Sequence, residues 1–175
     1  MMRFIFLLAM LSLGTAVNAQ KLKLDQLEQL LNSSMDEAEE SLFLAGYIFL
    51  NEKKKPDTSG IINVFTNRKR TIGTAKIVWK GVYANYPVNS FVKYITYDRQ
   101  EFENFRRLMI EHGFVRKDSA ITETSTFTKD NLQVHFEPGK DEFDNITFEV
   151  RLSNPKGLLK EKVLKKGPFK NIFKQ

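Results

Sequence analysis

Only two histidines occur in the 175 residues, His112 and His135, and histidine is the side chain whose ordinary pKa best suits proton transfer near neutrality. His112 directly precedes Gly113 at a helical stop, where an imidazole favours the negative end of the helix dipole, so a structural role is expected. His135 falls in the polar set of an alternating run and is expected to share a wet sheet face with Glu137, Glu149 and Arg151. One imidazole among carboxylates falls short of the three or four converging ligands of a metal centre. Asp141, Glu142, Asp144 and Asn145 follow Gly139 in an oxygen-rich turn, but the ordered one-three-five spacing and distal Glu of a calcium loop are missing. A solvated strand connection is expected there. The acidic group Asp36, Glu37, Glu39 and Glu40 occupies the first turns of an expected helix, where the dipole favours negative charge. No Gly-rich phosphate loop, Gly-x-Ser-x-Gly elbow or HExxH occurs. No catalytic residue, cofactor or metal is therefore expected.

The middle of the chain is rich in rings: Trp79, Tyr83, Tyr86, Phe91, Tyr94 and Tyr97. Most should fill the core, yet on alternating strand positions some could form a recognition surface, since Trp and Tyr combine large contact area with one polar tip. Trp79, Tyr83, Tyr86, Tyr94 and His135 are the candidate interaction residues of the domain. Lys76, Lys80 and Lys93 interleave with the rings as in single-strand nucleic-acid binding, but a near-neutral body and an exported chain argue against nucleic acid as a partner.

The elements that must position these residues have clear boundaries. Ser34-Met35-Asp36-Glu37 has the reciprocal hydroxyl-and-carboxylate arrangement of a helix start. Met35, Ala38, Leu42 and Ala45 follow at helical spacing, and Gly46 stops the helix. Asp98 and Glu101 open a second helix with Phe102, Phe105, Met109 and His112 on one side and Gly113 at its end. Shifted by 67 residues, the two stripes superpose, with Gly46 on Gly113 and Tyr47 on Phe114. Each stop leads into four strand-like runs: 47–52, 61–66, 75–80 and 90–97 in the first half, 114–117, 122–129, 132–137 and 145–152 in the second. The spacing predicts an α+β domain, a tandem of two helix-plus-four-strand units at about 34–97 and 98–152, with helices packed on one face of antiparallel sheet. Leu24, Leu27, Leu30 and Leu31 predict a further short helix at the start.

The ends carry different information. Residues 1–19, MMRFIFLLAMLSLGTAVNA, join a basic start, an apolar run and small residues before Ala19, the order of an export signal. With no cysteine, which excludes disulfides and thiolate chemistry, export points to a periplasmic or extracellular location. Residues 20–155 are expected to form one domain and carry 19 Lys+Arg against 20 Asp+Glu. Residues 156–175 carry seven Lys against one Glu, so the basic pI belongs to the tail. There Leu158, Leu159, Val163 and Leu164, with Lys165, Lys166, Phe169 and Phe173, suggest a segment that settles on an anionic membrane surface.

The stretch LDQLEQLLNSSMDEAEESLFLAGYIF, together with Ala75-Lys-Ile-Val-Trp79, resembles small exported bacterial proteins of unassigned function. The resemblance covers most of residues 20–175 and implies no site residues. In topology the helix-then-meander order is similar to the β-lactamase inhibitor protein type, whose motifs are absent. The expected function is a non-enzymatic interaction protein of the cell envelope that binds a protein or envelope component. The alternatives are an inhibitor or immunity-type protein for a secreted enzyme, and a hydrolase without a recognisable motif.

Overall fold

The computed structural model describes residues 21–67, 74–118 and 123–156. Residues 1–20, where an export signal is expected, and residues 157–175 of the expected basic tail, including Lys165, Lys166, Phe169 and Phe173, lie outside the described residues. Three helices and eight strands follow in the order α1 (Leu24–Asn32), α2 (Met35–Leu44), β1 (Ile48–Lys55), β2 (Gly60–Thr66), β3 (Lys76–Tyr83), β4 (Phe91–Thr96), α3 (Arg99–Glu111), β5 (Val115–Arg116), β6 (Ser125–Lys129), β7 (Leu132–Lys140) and β8 (Ile146–Ser153). The strands form one antiparallel sheet in the order β1-β2-β3-β4-β8-β7-β6-β5. The α+β architecture is the expected one. The run expected at 114–117 is shorter, Val115–Arg116; the Lys117 N–H still reaches the Thr126 carbonyl at 2.9 Å, but the Thr126 N–H is taken by the Asp118 carboxylate.

Local chemistry sets the helix ends. Ser34 Oγ accepts from the Glu37 N–H at 3.3 Å while Glu37 Oε2 accepts from the Ser34 N–H at 3.0 Å, which satisfies two donors at the start of α2. At its end Gly46 takes φ 83°, and the Tyr47 N–H reaches back to the Leu42 carbonyl at 2.8 Å. At the end of α3, Gly113 takes φ 76° and the Phe114 N–H reaches the Met109 carbonyl at 2.9 Å. Both closures need a left-handed residue, which glycine adopts without a Cβ penalty.

The helices cover one face of the sheet. Leu24, Leu27, Leu30 and Leu31 of α1, Ala38 and Leu42 of α2, and Phe102, Phe105 and Met109 of α3 are buried with Phe65, Val78, Val92, Tyr94, Val134, Phe136, Val150 and Leu152 from the strands. Phe102 meets Phe136 and Phe148 at ring distances of 5.5 and 5.1 Å. Each such large side chain taken out of water contributes about 1.5–3 kcal/mol. Among the described residues no helix is long and apolar enough to cross a membrane.

Candidate functional site

Strand alternation divides the polar and aromatic residues of β3 and β4 between the two faces. Lys76, Val78 and Lys80 of β3 face the helices, as do Val92, Tyr94 and Thr96 of β4; Ile77, Trp79, Gly81 and Tyr83 face the other way with Phe91, Lys93 and Ile95.

On the helix-covered face lies a buried polar cluster. Glu101, in the first turn of α3, accepts from Tyr94 Oη at 2.9 Å, from Thr96 Oγ1 at 2.9 Å and from Lys76 Nζ. All four residues are buried. Burial, reinforced by the neighbouring carboxylate, holds the Tyr94 hydroxyl far above the ordinary tyrosine range, and burial does the same to Tyr47. Tyr94, expected among the interaction residues, is therefore a core residue: its ring packs on Phe105 at 5.8 Å and its hydroxyl serves Glu101. Glu101 itself was expected only to open a helix. Asp98 alone caps α3 by accepting from the Gln100 and Glu101 N–H groups, which leaves the Glu101 carboxylate free to turn inward.

Lys80 is fully buried beneath α1 and donates to the carbonyls of Leu30 at 2.6 Å and Leu31 at 2.9 Å, tying that helix's last turn to the sheet. Burial lowers its pKa from 10.5 to about 7. Lys76 and Lys80 thus do not interleave with the rings at a surface. Of the three lysines named with the rings, Lys93 alone lies beside Trp79.

The opposite face has no helix on it among the described residues. Trp79 is half-buried there over an apolar floor of Ile62, Val64 and Phe91, next to Ile77 and Tyr83. The Lys53 ammonium lies 4.3 Å from the Trp79 ring centroid and the Lys93 ammonium 4.9 Å, positions favoured by the ring's negative face. Lys93 also pairs with Glu149 at 2.6 Å, and the Arg151 guanidinium stands 4.5 Å from the Phe91 ring. Two glycines let the rings lie flat: a Cβ on Gly60 would come 2.5 Å from the Tyr83 ring, and one on Gly81 equally close to the Phe91 ring. Tyr86 lies apart from this array, exposed in the β3–β4 connection just before the Pro87–Asn89 turn.

His135 lies on the helix-free side, as expected. Its Nδ1 is 2.9 Å from Thr126 Oγ1, its Nε2 is 3.7 Å from Glu137, and Arg151 is its cross-strand neighbour. His112 ends α3, and its carbonyl accepts from Lys129 Nζ at 2.8 Å. His112 also borders a cavity of about 300 Å³ that involves Asp25, Glu28, Phe114 and Asp130. Among the described residues no three His, Asp or Glu side chains are gathered to hold a metal. Asp141 is engaged within its own turn, accepting from the Phe143 and Asn145 N–H groups at 2.9 Å, and it also receives Tyr97 Oη at 3.0 Å.

The arrangement on the helix-free face suits non-covalent recognition: flat rings for apolar contact, and ammonium and guanidinium groups for anionic atoms beside them. No family model, curated protein or solved structure matches this chain.

Proposed function

We propose that this protein is an exported, non-enzymatic binding module of the cell envelope that recognises a protein or another envelope component through the helix-free face of its sheet. The observation that carries the reading is Trp79, half-buried between two ammonium groups on a face left open by the helices. Trp, Tyr and Arg dominate binding energy at protein interfaces, and Trp79, Tyr83 and Arg151 share this face. An inhibitor or immunity-type role toward a secreted enzyme is one form of the same activity. A hydrolase reading has less support, because the most elaborate polar cluster, around Glu101, is buried. Export rests on residues 1–19, and the basic tail is read as a supplementary contact with anionic lipid head groups.

We also read residues 34–97 and 98–152 as two copies of one unit. The matched glycine stops support this, as does a strand order in which four consecutive strands from each half meet at β4 and β8.

The test is a pull-down from the native envelope fraction with immobilised residues 20–175, comparing wild type, Trp79→Ala and a control, Arg107→Ala, on the outer side of α3. A partner retained by wild type and Arg107→Ala but lost by a folded Trp79→Ala supports the reading. A partner held equally by all three overturns it.

A further inference from the structure

The sheet's two edges are unlike. At one, β5 pairs through two residues; at the other, β1 runs for eight and is paired only with β2, so its outer row of N–H and C=O groups has no strand partner among the described residues. An edge of that length is a template for another strand. Its side chains form two blocks. Phe49 and Leu50 are 45% and 55% exposed, and the last turn of α2, which Gly46 joins to β1, adds Phe43 and Leu44 at 70% and 78%. Leu50 is the extra residue of a bulge, since Phe49 opposes Phe65 and Asn51 opposes Val64. The far end carries the consecutive exposed residues Lys53, Lys54 and Lys55.

We propose that β1 is a docking edge for an extended acidic segment of a partner protein, which adds as an antiparallel ninth strand with carboxylates opposite Lys53–Lys55 and apolar side chains toward Leu50. Consecutive lysines on a strand alternate between faces, so the incoming strand needs a run of acidic residues rather than an alternation. Antiparallel pairing sets that run before the apolar residues in the partner's sequence. A second copy of this chain fits poorly. Two-fold pairing centred on Glu52 sets Glu against Glu, pairing centred on Lys53 or Lys54 sets Lys against Lys, and pairing centred on Asn51 meets the bulge. Lipid fits poorly too, because hydrocarbon would leave the edge's N–H and C=O groups unsatisfied. This edge adjoins the Trp79 surface through Lys53, whose ammonium lies over the Trp79 ring, so the test leaves Lys53 intact.

The probe is a fluorescein-labelled synthetic peptide of three glutamates followed by Val-Thr-Val-Thr, titrated into residues 20–175 and followed by anisotropy and amide hydrogen exchange. The expected result is saturable binding with slowed exchange in β1, at least tenfold weaker for Lys54→Glu/Lys55→Glu, whose fold is checked by circular dichroism. The double variant should in turn prefer a peptide with lysines in place of the glutamates. No binding at millimolar peptide, equal binding by the variant, or protection outside β1 would overturn the proposal. So would β1 protection that rises with protein concentration alone, which would assign the edge to a second copy.

Discussion

Lys76 and Lys80 on one face of β3 can be compared with Lys93 on the opposite face of its neighbour β4. All three stand among aromatic residues in the sequence, yet Lys76 is sealed against Glu101, Lys80 is sealed against two helix carbonyls, and Lys93 lies in a half-exposed array between Trp79 and Glu149. The difference comes from strand parity and from which face the helices cover. Beneath the helices a lysine must find dedicated acceptors or lose its proton, since an unpaired buried charge is costly. On the open face the same side chain keeps partial contact with water while it pairs with Glu149.

The largest expected effect lies on the covered face. Glu101→Ala leaves Lys76 buried without its counter-charge and should cost about 3–5 kcal/mol in urea denaturation. Lys80 should give the protein an alkaline signature. Its folded pKa of about 7 lies below the ordinary 10.5, so between those values the unfolded state holds the proton that the folded state has released. Stability should therefore rise with pH across that window, by at most ~1.4 kcal/mol per pH unit. The gain is lost as pH falls through about 7. Tyr47 and Tyr94 act oppositely, because their raised values remove stability once unfolded tyrosine ionises near pH 10. Lys80→Met should abolish the rise in a pH series of melts; an unchanged slope would assign it to other groups.

Effects on the open face should be smaller. Gly81→Val drives a side chain into the Phe91 ring and should cost about 1–3 kcal/mol. Trp79→Ala, at a half-buried position, should cost about 1–2 kcal/mol, less than the 3–5 of a fully buried tryptophan. Lys93→Ala removes a partly hydrated ion pair and should change stability by no more than ~1 kcal/mol. If Lys93→Ala proved as damaging as Glu101→Ala, the contrast between the faces would fail.

Much of the fold was legible because it is written in local chemistry. The Ser34–Glu37 box, the Gly46 and Gly113 stops, the leucine stripe of α1 and the alternation of β7 and β8 each need only neighbouring residues. The candidate site was legible in part. Trp79, Tyr83 and His135 fall on the helix-free side, while Tyr94 does not, because β3 and β4 are apolar on both faces and the alternation names no inner side. Parity did hold a usable signal: Tyr94 shares its set with Val92, whereas Lys93 belongs to the other. Glu101 was hidden by its position, three residues after Asp98, where an acidic residue reads as a helix start whether it points outward or in. The β1 edge could not be recognised until the strand order was known.

The central claim, that partners engage the Trp79 face, is tested most directly by one fluorine label, since the chain has a single tryptophan. With 5-fluorotryptophan at position 79, addition of the solubilised envelope fraction should shift or broaden the one ¹⁹F resonance. An excess of unlabelled protein should restore it, and unlabelled Trp79→Ala should not. A resonance that stays unchanged while the protein is retained by that fraction would place recognition elsewhere and contradict the account.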